Sequence, residues 1–165
     1  MSTSNYQIYA TTNDAWDAML KALESAEKSI YWEVYAFVDD AEGNRFFNVL
    51  EAKARAGVDV KLIVDYWGSF ALSRKKITQL RAAGIDIRFF EDRKRRALIW
   101  WGLFSSRTHR KLLIVDEELG FVGGVNVQRS MKNWLDIHIA LRGKAVRTLL
   151  RSFAKSYILC GGDKD

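Results

Sequence analysis

Proline is absent from the 165 residues, an unusual omission for which composition offers no physical reason. The single cysteine, Cys160, excludes an internal disulfide, and a reducing compartment is the simplest expectation. It lies near the end of the chain with no histidine around it, so no nucleophilic role is expected. No apolar run approaches the roughly 18 residues of a membrane span. The N-terminus carries no basic-then-apolar pattern, so no secretory signal is expected. Linker-like stretches, low-complexity tracts and internal repeats are also missing. Residues 1–165 therefore read as one domain, and 48% apolar content is enough for a real core.

What the chain does carry is positive charge. Lysine and arginine number 26 against 20 aspartates and glutamates, a net of +6. That favours anionic partners, and nucleic acid and anionic lipid fit it equally well. Much of the charge gathers in "EDRKRRALIWWGLFSSR" (91–107), where Arg93, Lys94, Arg95 and Arg96 run into an apolar patch with Trp100 and Trp101. One reading is a buried helix with a solvated basic start. Another is a segment that meets an anionic interface, with cations on headgroups and indoles at the boundary. The same pairing could grip nucleic acid, with phosphates on arginines and bases on indoles.

Apolar β-rich runs alternate with helix-period segments. "NDAWDAMLKALESAEK" (13–28) predicts a helix with an Asn13 cap and Trp16, Met19, Leu20 and Leu23 on one face. "SIYWEVYAF" (29–37) predicts a buried strand, and residues 41–57 a helix ending at Gly57, where a left-handed cap costs little. A strand over "VDVKLIVDYWG", a helix over 73–83 stopped by Gly84, and the strand "IDIRFF" follow. A last helix is expected over 144–158, with Val146, Leu149, Leu150 and Phe153 inward. This alternation predicts an α/β sandwich on a mixed, largely parallel sheet.

The stretch "RTHRKLLIVDEELGFVGGVNV" (107–127) departs from an ordinary buried strand. Side chains alternate on a strand, so His109, Lys111, Leu113 and Val115 share one face, opposite Arg110, Leu112, Ile114 and Asp116. An imidazole beside an ammonium can work on a phosphodiester: one attacks or protonates, the other neutralises phosphoryl oxygens. The turn "GGVN" is flexible enough to bring backbone N–H groups, including that of Gly124, and the Asn126 amide to the same phosphate. Taken alone, a His and a Lys two apart are more often surface decoration. His138 has no lysine two later and no glycine turn, so it makes no second copy and reads as a core or edge histidine. Glu33 sits in a strongly apolar strand, either as a buried partner for an arginine or as a residue lining a pocket. No His/Cys cluster has zinc spacing and no aspartate group is of the magnesium-holding kind, so neither metal nor cofactor is expected.

Together His109, Lys111 and Asp116 form H-x-K-x4-D, and after six further residues comes G-G-x-N. This pattern resembles the signature of the phospholipase D superfamily. With "YAFVDDAEG", "AGVDVKLIVDYWGS", "HRKLLIVDEELGFVGGVN" and "WLDIHIALRGKAV", residues 6 to 158 resemble the N-terminal half of a bacterial cardiolipin synthase without N-terminal membrane helices. The resemblance implies a phospholipase D-like α/β/α sandwich and a phosphohistidine intermediate. It implies His109 as the nucleophile, Lys111 and Asn126 on the phosphoryl oxygens, and Asp136 as the carboxylate that pins the imidazole. Asp116, although within the catalytic signature, falls on the opposite face by alternation and is expected to close the strand end instead.

Such synthases carry two of these motifs and this chain carries one. The expected partners are therefore a second phospholipase D half, fused or as a homodimer, and an anionic phospholipid or membrane surface. The expected location is cytoplasmic and peripherally membrane-associated. The implied reaction transfers a phosphatidyl group between two phosphatidylglycerols and releases glycerol. The alternatives are a single-motif endonuclease active as a homodimer, and a non-catalytic module that binds anionic lipid or nucleic acid.

Overall fold

The computed structural model describes residues 5–90 and 108–163. The basic and tryptophan-bearing stretch 91–107, with Arg93–Arg96, Trp100 and Trp101, lies outside the described residues. Seven strands form one sheet: β1 (Tyr6–Thr11), β2 (Ser29–Val34), β3 (Asp59–Asp65), β4 (Asp86–Phe90), β5 (Lys111–Val115), β6 (Leu119–Gly123) and β7 (Leu135–Arg142). Their order across the sheet is β1-β7-β6-β5-β2-β3-β4. The helices are α1 (Thr12–Glu24), α2 (Ala41–Arg55), α3 (Arg74–Ala82) and α4 (Lys144–Leu159).

Strand alternation divides the core into two layers. Ile30, Trp32, Val34, Leu113, Val115 and Phe121 pack on one sheet face with Trp16 and Leu23 of α1 and Phe46, Phe47 and Leu50 of α2. Ile63, Leu112 and Ile114 face the other way, against Val146, Phe153 and Tyr157 of α4. This is the α/β/α sandwich that the resemblance implies.

The sheet is mixed, but the expectation that it would be largely parallel needs correction. Only β2–β3 and β3–β4 pair in parallel. β2–β5, β5–β6, β6–β7 and β1–β7 are antiparallel. A parallel neighbour needs a crossover, which α2 and α3 supply. Between β5 and β7 no α-helix intervenes, only a 3-10 turn at Arg129–Met131, and β5 turns back into β6 through Asp116 (φ 52°) and Glu117 (φ 59°), both left-handed. Nothing in "DEE" advertises such a turn.

Two helix boundaries also moved. The cap of α1 is Thr11, whose hydroxyl accepts from the Asp14 N–H at 3.1 Å, and Asn13 instead donates to Asn133. That helix ends at Glu24, four residues early. The stops at Gly57 (φ 92°) and Gly84 (φ 98°) fall where the sequence puts them. β1 had no sequence signal strong enough to assign it. It is an edge strand with exposed positions and is defined by pairing to β7.

Candidate active site

β2 and β3 end, and β5 and β7 begin, along one edge of the sheet. That edge gathers the signature. The approach to β5 is held first. Thr108 donates its N–H to Asp65 Oδ2 at 2.9 Å and its hydroxyl to Glu33 Oε1 at 2.7 Å. Asp65 and Glu33 are both fully buried, so Thr108 has two fixed acceptors and His109 leaves the sheet edge from a defined point. Glu33 also faces Arg110 at 3.3 Å, without hydrogen-bond geometry at that oxygen. Of the two readings of Glu33, the structure selects the arginine partner. With no exposed surface, Glu33 does not line a pocket, and it belongs to the sheet face opposite Lys111.

Arg110 completes that anchor by donating to Ser156 Oγ at 2.7 Å and Ser152 Oγ at 2.6 Å on α4. Its neighbours His109 and Lys111 point to the other side, as alternation requires. The His109 side chain is exposed, with its ring 5.1 Å from the Tyr35 ring. Lys111 is buried beneath it. Its ammonium donates to the His109 carbonyl at 3.0 Å and stands 5.4 Å from the centre of the Tyr35 ring. Burial lowers the Lys111 pKa, and the charge of Asp136 partly restores it. Among the described residues the ammonium has one hydrogen-bond acceptor, which leaves two of its three donors for a ligand.

The glycine turn does something other than the sequence suggests. The Gly124 N–H is taken by the Ile137 carbonyl at 3.0 Å, so it is not a phosphate donor here. What glycine provides is room. A Cβ on Gly124 would stand 2.1 Å from Asp136 Oδ1, and one on Gly123 would stand 2.6 Å from His138 Nδ1. Each glycine therefore has one polar side chain of β7 laid against it. Asn126 is buried, with its side-chain oxygen accepting from the Ala36 N–H at 3.1 Å and its own carbonyl accepting from Trp16 Nε1 at 3.0 Å. That pins the amide and fixes the direction of its NH2 group.

Asp136 is half-buried and accepts from the Ile137 N–H at 2.7 Å. It lies within electrostatic reach of Lys111 and His138. Among the described residues no hydrogen bond joins it to His109. His138 is 1% exposed, and burial pushes its pKa down to about 4, with Asp136 opposing and Lys111 adding to the shift. Asp116 stands at the far end of β5, where its carboxylate accepts from the N–H groups of Glu27, Lys28 and Ser29. Burial pushes its pKa up, but those three bonds win and leave it below the ordinary value. Asp116, although part of the catalytic signature, is thus a clamp at the opposite end of β5 from His109, the strand-end place that alternation implied.

Sequence reasoning missed Asp65, Thr108 and Tyr35. The one available signal was the position of Asp65, a charge ending an apolar strand at the sheet edge where ligands bind. Among the described residues no three His, Cys, Asp or Glu side chains gather as a group able to hold a metal ion.

An exposed imidazole over a buried ammonium, with a pinned amide and a carboxylate at the same strand edge of an α/β/α sandwich, defines a phospholipase D-like domain. Residues 19–156 match the profile of the family described as cardiolipin synthase, PLD-like domain, and the chain belongs to that family. Similar curated proteins include a probable cardiolipin synthase, YwiE, of Bacillus subtilis, 34% identical over 88% of this chain and 30% of that protein. The cardiolipin synthase of Geobacillus kaustophilus is 33% identical over 98% of this chain and 33% of its own length. The chain thus spans about a third of the curated relatives it matches. Among solved structures, NucT from Helicobacter pylori has a TM-score of 0.74 at 16% identity, covering 95% of this chain and 96% of that one. Nuc from Salmonella typhimurium, a phospholipase D family member, has a TM-score of 0.71 at 20% identity, covering 93% and 94%. These two likenesses establish the fold. Among the described residues no helix is long and apolar enough to cross a membrane.

Proposed function

We propose that this chain is one half of a phosphatidyltransferase of the cardiolipin synthase type, working through a phosphohistidine at His109. The observation that carries the reading is the division of labour between the two histidines. His109 is exposed at the sheet edge above Lys111, while His138 is buried and held neutral. A nitrogen of His109 attacks the phosphorus of phosphatidylglycerol, and the bond from phosphorus to the glycerol oxygen breaks. An acid from outside this chain protonates that oxygen and glycerol leaves. The glycerol hydroxyl of a second phosphatidylglycerol then attacks the phosphohistidine, returns a proton to the acid, and leaves as cardiolipin.

Lys111 and the Asn126 NH2 group stabilise the phosphoryl charge, and Asp136 favours the imidazolium and its tautomer. Support for a lipid substrate comes from the family match and the synthase relatives. Completion of the site by a second half is supported by the synthase relatives, of whose length this chain spans about a third. In that setting the domain would work in the cytoplasm, peripherally on a membrane.

The test is glycerol release from phosphatidylglycerol in detergent micelles, across a protein concentration series. His109→Ala should abolish turnover. Lys111→Ala should cost about 3–4 kcal/mol of transition-state stabilisation, and Asp136→Asn should slow turnover strongly while leaving the melting temperature nearly unchanged. A chelator should have no effect. Cleavage of DNA without glycerol release, or loss in chelator restored by magnesium, would overturn the proposal.

A further inference from the structure

Among the described residues, most of the large exposed aromatics lie at the strand ends that carry the candidate site. Beyond Asp65 the loop displays Tyr66, Trp67 and Phe70, which are 48%, 51% and 83% exposed. The loop is nonetheless fixed. Asp65 Oδ1 accepts from the Trp67 and Gly68 N–H groups at 3.0 and 2.9 Å. The Ser69 hydroxyl donates to the Tyr35 carbonyl at 3.1 Å and accepts from the Phe37 N–H at 3.0 Å. Gly68 lies so close that an added Cβ would stand 2.3 Å from that same carbonyl. Asp65 and Tyr35 both touch the candidate site, so the loop and His109 share one rigid mount.

Across the site the pattern repeats. Trp134 and Leu135, 55% and 85% exposed, directly precede Asp136. β3 and β7 each stand two strands from β5. At about 4.8 Å per strand, the two apolar groups lie roughly 10 Å on either side of Lys111. Both lie at the edge of the sheet where His109 is exposed. Aromatics that leave half or more of their surface in water around a charged site are only partly used by the fold, and such a rim marks an interaction surface.

The chemistry of the rim favours a bilayer over a protein. Tryptophan and tyrosine settle at the boundary between hydrocarbon and headgroups, the depth at which a phospholipid presents its phosphodiester. Arg74 and Lys75 follow Phe70 and are exposed on the first turn of α3, which contains no acidic residue. Cations there add to the positive end of the helix dipole instead of balancing it, so the loop's flank attracts anions.

We propose that Tyr66, Trp67 and Phe70, with Trp134 and Leu135 opposite, form a two-sided rim that seats the His109 edge on an anionic phospholipid surface. This deepens the lipid reading above and rests on it. Docked this way, the strands run toward the bilayer and headgroup phosphates enter between the two rims.

The test labels position 70 with an environment-sensitive fluorophore through Phe70→Cys, in a Cys160→Ser background. Phe70 is exposed enough for the fold to tolerate the change. A matched label goes on α1 through Glu24→Cys. Phosphatidylcholine vesicles with phosphatidylglycerol should shift the position-70 emission to the blue, and leave the position-24 label and lipid-free samples unchanged. Trp67→Ala combined with Trp134→Ala in the unlabelled protein should weaken vesicle partitioning at least about tenfold, a loss of about 1.4 kcal/mol. A position-70 label that stays in water on protein-laden vesicles would sink the proposal. So would a shift that needs only higher protein concentration, or only DNA. Micellar glycerol release separates the two claims: turnover without a vesicle shift removes the docking surface alone. A vesicle shift without turnover keeps the surface and removes the chemistry.

Discussion

Asp136 and His138 stand two apart on one face of β7 and end in opposite states. Asp136 is half-buried at the sheet edge, whereas His138, one turn of the pleat further in, is 1% exposed with neither ring nitrogen hydrogen-bonded. Burial brings its pKa down to about 4. An unfolded chain takes up that proton near pH 6.5, and the folded chain resists it. The unfolded state therefore binds more protons between those values, so stability should fall as pH drops from about 6.5 to about 4 and lose nothing further from this group below that. The total is about 3 kcal/mol. Urea unfolding at a series of pH values would measure it, with His138→Asn as the control. That variant, whatever its absolute stability, should lack this part of the slope. An unchanged slope in His138→Asn would assign the pH dependence elsewhere.

At the scale of the element, β5 is secured at both ends by carboxylates, from neighbouring strands at its head and from its own next residue at its tail. Glu33 and Asp65 hold Thr108 at its head. Asp116 at its tail gathers the N–H groups of Glu27, Lys28 and Ser29, fixing the joint between α1 and β2. The depressed pKa of Asp116 means that its stabilisation is present above the ordinary carboxylate range and is lost as pH falls through the folded value. Asp116→Ala should cost about 1–3 kcal/mol, because three backbone donors lose a charged acceptor at once. Denaturant titration should show that loss while turnover per folded molecule is retained. If turnover collapses with stability intact, the clamp assignment is wrong and the residue belongs with the chemistry.

At the scale of the whole molecule, the chain has two histidines, and only one is exposed for chemistry. A positioned acid is worth typically 10²–10⁴-fold, so the proposed reaction needs an imidazole from another half or another copy. Turnover from this chain alone should rise faster than linearly with concentration, in step with a dimer seen by light scattering. A two-fold axis would then pass through the shared site. Concentration-independent turnover from a species that scatters as a monomer would show that one motif suffices.

The sequence by itself determined what is local. H-x-K-x4-D and G-G-x-N are short spacings, and strand alternation alone separates His109 and Lys111 from Arg110 and Asp116. Gly57 and Gly84 ended their helices because a left-handed residue is needed there whatever surrounds it. The tertiary structure decided what depends on distant partners. Thr108 meets Glu33 across 75 residues and Asp65 across 43, and no window of sequence contains those pairs. The β5–β6 hairpin closes through a left-handed turn at Asp116 and Glu117, and the antiparallel pairings of β2–β5, β6–β7 and β1–β7 join strands that no local window brings together. The glycine pair was legible as a motif, yet its purpose appeared only once Asp136 and His138 were seen lying against it. His138 read as a core or edge histidine from its apolar strand, but only the packed layers decided between the two and set it 1% exposed. Depth below the surface depends on what is stacked above a residue, and spacing along one strand does not specify that.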